Sequence, residues 1–75
     1  MDFISMLKDK QRELQLTTTE FARHAGKNRS WMFDKFGPNP YKHPLNQSTM
    51  YQLHNLLNIP YEVMDEFNAK CRESK

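Results

Sequence analysis

The 75 residues predict one compact all-α domain of five short helices. Three observations lead there. Strand-like alternation of apolar and polar residues is almost absent, whereas apolar residues return every three or four positions in several segments. Gly and Pro stand only as punctuation between those segments. At 75 residues, 37% hydrophobic and with five Met, the chain supports one core and no second domain. The domain is expected over residues 1–75, with the last few residues frayed.

Asp2 can cap a first helix over about residues 3–14, with Ile4, Leu7 and Leu14 on a common apolar side and Lys8, Lys10 and Arg12 in solvent. Thr17 and Glu20 have the spacing of a capping box, in which the hydroxyl takes an amide proton and the carboxylate reaches back. Leu16 and Phe21 sit where a hydrophobic staple would form. The second helix then runs from Thr18 to about Ala25 and stops at Gly26, which can take a left-handed backbone. Asn28 caps a third helix, Arg29 to Phe36. The stretch from Gly37 to Pro44 holds three prolines and reads as a stiff, extended surface loop. Asn46 or Ser48 starts the fourth helix, with Met50, Leu53, Leu56 and Leu57 inward, and Asn58 ends it. Pro60 suits the first turn of a fifth, whose stripe is Tyr61, Val63, Met64 and Phe67. The expected core is Leu7, Leu16, Phe21, Ala22, Met32, Leu53, Leu57, Ile59 and Met64.

Several function classes fall away. Cys71 stands alone, which excludes an intramolecular disulfide and fits a reducing cytosol. No apolar run approaches the roughly 18 residues of a membrane span, and Met1-Asp2-Phe3-Ile4 lacks the basic start of a secretory signal. The expectation is a soluble cytoplasmic protein with no membrane partner. His24, His43, His54 and Cys71 match no metal-ligand spacing, and no phosphate-binding glycine loop or base-flanked nucleophile occurs. The chain is therefore expected to be no enzyme, to need no cofactor and to hold no metal.

Charge is uneven. Residues 21–59 hold Arg23, Lys27, Arg29, Lys35 and Lys42 against Asp34 alone, while the net charge of the whole chain is only +2. A basic block is more often than not a merely solvated face; its position over helices two and three favours a polyanionic partner. Those helices carry a further pattern. Ala22, Gly26 and Met32 supply in order a small residue for a close helix crossing, a permissive turn and a flexible apolar anchor behind the second helix.

With Leu16-Thr17, Glu20-Phe21-Ala22, Ala25-Gly26, Arg29-Ser30, Met32, Leu53, Leu57 and Ile59, the chain resembles the phage repressor/Cro-like helix-turn-helix family from about Ile4 to Phe67. The resemblance implies a helix-turn-helix unit over about residues 17–36, dimers on near-palindromic double-stranded DNA, and a third helix in the major groove. Carried over by position, Thr18 would begin helix two at the DNA. Asn28, Arg29, Ser30, Trp31 and Phe33 would face the groove, with Lys27, Lys35, Lys42 and His43 on the backbone. The chain departs from the family where Gln11 replaces an Arg and Phe36 the Glu it often pairs with, so no buried charge is stranded. Lys27 and Lys35 replace apolar positions, and the loop after helix three is longer.

Trp31 and Phe33 admit three readings. One ring packs into the core of a slightly rotated helix; both rings contact sugars or thymine methyls beside Arg29; or they form a patch that docks another protein. The function expected is a sequence-specific DNA-binding transcriptional regulator. The alternative is an antirepressor on the same fold, capturing a protein such as a repressor through helix three.

Overall fold

Each of the first four helices begins where a side-chain oxygen can accept an amide proton that the helix leaves unpaired. In the computed structural model, which describes residues 2–73, the order is α1 (Phe3–Leu14), α2 (Thr18–His24), α3 (Arg29–Phe36), α4 (Gln47–Leu57) and α5 (Tyr61–Glu73). Asp2 accepts from the Ser5 amide at 2.8 Å and Asn28 from that of Trp31 at 2.8 Å. Asn46, rather than Ser48, caps α4 through the Thr49 amide at 2.8 Å. The capping box of α2 is complete: the Glu20 amide donates to Thr17 Oγ1 at 3.2 Å and the Thr17 amide to Glu20 Oε1 at 2.9 Å. Helix α5 follows Pro60, whose carbonyl receives the first intrahelical bond, from the Met64 amide at 3.4 Å, as the capping residues' carbonyls do in the other four helices.

Left-handed residues end three of the helices, α1, α2 and α4. Gly26 has φ +74°, and the Lys27 and Gly26 amides fold back onto the Ala22 and Arg23 carbonyls at 2.9 and 3.1 Å. Asn58 ends α4 in the same conformation, as does Gln15 after α1, where no sequence signal pointed to it.

The core is Phe3, Leu7, Phe21, Ala22, Ala25, Met32, Leu45, Met50, Leu53, Leu57, Ile59, Met64, Phe67 and Cys71. Ala22 and Met32 are buried where α2 meets α3, as the spacing predicts. Four expectations change. Leu14 and Leu56 are nearly half exposed and flank a shallow groove with His24, Leu57 and Asn58: the last turn of α1 runs past the core, and Leu56 lies about 100° round α4 from the buried Leu57. Leu16 is half-buried, and Tyr61 is turned outward, stacked on His54 at 4.3 Å. Helix α1 instead anchors through Phe3, whose ring lies 4.9 Å from that of Phe67 on α5.

The segment from Gly37 to Asn46 is irregular but tied down. Tyr41 packs 5.3 Å from Phe67, and Leu45 is buried with both backbone polar groups satisfied by Asn68 of α5, at 2.7 and 3.0 Å. Helix α5 continues to Glu73 with Cys71 buried; residues 74 and 75, on which the expected frayed tail falls, lie outside the described residues. Among the described residues no helix is long and apolar enough to cross a membrane.

Candidate nucleic-acid interface

Helices α2 and α3 are joined by Ala25-Gly26-Lys27-Asn28, and Gly26 makes the sharp reversal possible. A Cβ at Gly26 would come within 2.9 Å of the Gln52 side chain and 3.7 Å of Leu56, so the turn rests closely on α4. Helix periodicity divides α3 into two sides. Met32 and Lys35 are buried, with Trp31 and Phe36 half-buried beside them, while Arg29, Ser30 and Phe33 are exposed on the other side.

Lys35 corrects the sequence reading. It was expected on a DNA phosphate; its side chain is only 1% exposed. Its ammonium donates to the His43 carbonyl at 2.9 Å and the Pro40 carbonyl at 3.4 Å, and lies 5.5 and 5.2 Å from the centres of the Trp31 and Phe67 rings. Burial pushes its pKa down, with the Asp34 carboxylate at 3.9 Å and the Cys71 thiol acting the other way. Lys35 thus fastens the 37–44 loop from inside and presents no charge to a ligand. Its spacing of three residues from Met32 was the available signal.

Trp31 also turns inward. It is half-buried against the core, with the Lys27 and Lys35 ammonium groups 5.6 and 5.5 Å from its ring centre. This fits the packing reading for one of the two rings, whereas Phe33 is 53% exposed. Lys27 is half-buried and donates to the Thr49 hydroxyl, linking the turn to the first turn of α4. Thr18, at the start of α2, accepts from Gln11 Nε2 at 3.2 Å, and the same amide group donates to the Leu16 carbonyl at 3.1 Å. Gln11 therefore holds α1 to α2 through neutral hydrogen bonds, a role that its sequence position alone did not reveal.

Asn28, Arg29 and Ser30 are exposed together at the amino end of α3. Lys42 and His43 are exposed on the following loop, and Lys42 shares a shallow groove with Phe33, Asp34, Gly37, Pro38 and Asn39. The structure therefore retains Asn28, Arg29, Ser30, Phe33, Lys42 and His43 as accessible candidates. Lys35 is withdrawn, while Trp31, Lys27 and Thr18 are already engaged in internal contacts. Arg23 on α2 is an exposed cation outside the expected set. Such a surface can hold phosphates and present hydrogen-bond donors with one apolar ring. Among the described residues no three His, Cys, Asp or Glu side chains gather to hold a metal ion. The chain matches no family model, no curated protein and no solved structure.

Proposed function

We propose that the protein is a sequence-specific DNA-binding transcriptional regulator of the cytoplasm that lays the outward side of α3 in the major groove. The observation that carries this reading is the division of α3. Its inward side is filled by Met32 and Lys35, which leaves Arg29, Ser30 and Phe33 exposed as a polar, cationic and apolar set. Arg29 can pair with the two major-groove acceptors of a guanine, and Lys42 and His43 can follow the phosphates.

Dimerisation is part of the proposal. Helix α3 has eight residues and is about 12 Å long, enough to address only about three or four base pairs. Two copies on a two-fold site double the sequence read, as in the helix-turn-helix family that the chain resembles. The role is one of binding rather than catalysis and calls for no cofactor.

The test is selection of duplexes from a random pool, followed by titration at two salt concentrations. Arg29→Ala should weaken specific binding by about 1–3 kcal/mol and relax preference at one base pair. Lys42→Ala should weaken binding to every sequence and make the salt dependence shallower by about one unit. Failure to select any motif would overturn the reading.

The 53% exposure of Phe33 favours a second reading, an antirepressor that inserts this ring into a partner such as a repressor. In that case Phe33→Ala would abolish the protein complex, and DNA affinity would stay at its non-specific level.

A further inference from the structure

Phe33 is an apolar ring on the side of α3 that the core does not use. Met32 is fully buried, Lys35 nearly so, and Trp31 and Phe36 half-buried, so the inward side is occupied and leaves no inner position for another ring. Around Phe33 the surface is polar and cationic. Arg29 lies one helical turn before it, and Lys42 faces the same groove. Asp34 also lines that groove, but its carboxylate lies 3.9 Å from the Lys35 ammonium, which offsets its charge.

The cations suit a phosphate-flanked surface, and in the major groove of such a surface the apolar feature is the 5-methyl group of thymine. Residues four apart on a helix are separated by about 6 Å along its axis, close to two base-pair steps of about 3.4 Å. We propose that Phe33 is a specificity-determining residue that contacts a thymine methyl within two base-pair steps of the guanine read by Arg29. The inference rests on the DNA-binding reading above and names the base content of the site.

The experiment uses the full chain and the duplex it selects. Each thymine of that duplex is replaced in turn by deoxyuridine, which removes the 5-methyl group and leaves the hydrogen-bonding edge intact. At one thymine per half-site, near the guanine whose identity ceases to matter in Arg29→Ala, the replacement should weaken binding by about fourfold, the effect of losing burial of one methyl group. Phe33→Ala, its helicity checked by circular dichroism, should bind the thymine and deoxyuridine duplexes equally. Phe33→Leu, which keeps an apolar contact, should retain part of the preference. If the protein selects a motif but tolerates deoxyuridine everywhere, the inference fails and the DNA-binding reading stands. It fails equally if Phe33→Ala still discriminates between the duplexes. If no motif is selected, or a protein complex sensitive to Phe33 forms in place of DNA binding, both fail.

Discussion

The two ends of α3 each carry a cation, and the fold uses them in opposite ways. Arg29, at the amino end, is exposed beside its cap Asn28. Lys35, six residues on, is buried under the loop and bonded to two backbone carbonyls. Six residues turn a helix by about 600°, which puts the two side chains on different sides. A charge count over residues 21–59 treats both alike, yet angular position makes one a candidate ligand contact and the other an internal fastener. Lys35 can be buried because every element around it contributes. Carbonyls come from the loop, ring faces from α3 and α5, and a carboxylate from Asp34.

The sharpest way to break this contrast is truncation at each end. Lys35→Ala removes a long buried stem and leaves the loop carbonyls without their donor, and should cost about 2–5 kcal/mol in denaturant unfolding. Arg29→Ala should change stability by less than about 0.5 kcal/mol while impairing DNA binding. Equal stability losses would mean that the two ends do not differ as described.

A smaller effect is expected at the cap. Asn28→Ala removes the oxygen that satisfies the Trp31 amide and should cost about 0.5–2 kcal/mol, which lowers the midpoint of thermal unfolding. The measurement separates local from tertiary control of α3. A loss as large as that of Lys35→Ala would show that the amino end depends on more than its cap.

The finest discrimination is in pH. Burial lowers the Lys35 pKa in the fold, so between that value and the unfolded one of about 10.4 the unfolded chain binds more protons than the folded one. Stability therefore gains with rising pH across this window, as the cost of burying the charge is relieved, and is level in this respect below it. Lys35→Met keeps the stem and lacks the titration. The stability of the wild type relative to Lys35→Met should rise with pH through the window, and a flat or falling difference would show that burial does not lower the pKa.

Helix positions were legible because they rest on local chemistry. Asp2, Thr17, Asn28 and Asn46 each bond an amide three residues ahead, and Gly26 supplies a backbone that few other residues tolerate. The exposed part of the candidate site was legible for the same reason: Asn28, Arg29 and Ser30 follow directly from the start of α3. Phase within a helix was less so. Phe3 replaces Leu14 as the end of the α1 stripe because Phe67 is near it, and Phe67 is 64 positions away in the chain.

The sequence by itself determined five helices, the caps Asp2, Thr17 and Asn28 and the close crossing at Ala22, since these depend on residues within a few positions of one another. Only the tertiary structure decided that Trp31 turns inward while Phe33 stays out. It also decided that Asn68 pairs with both backbone groups of Leu45, and that Lys35 is a fastener rather than a ligand contact. Each of these depends on whether a distant segment supplies the matching carbonyl, amide or ring. A buried polar group is stable only when its partners arrive from across the fold, and spacing along the chain carries no record of their arrival.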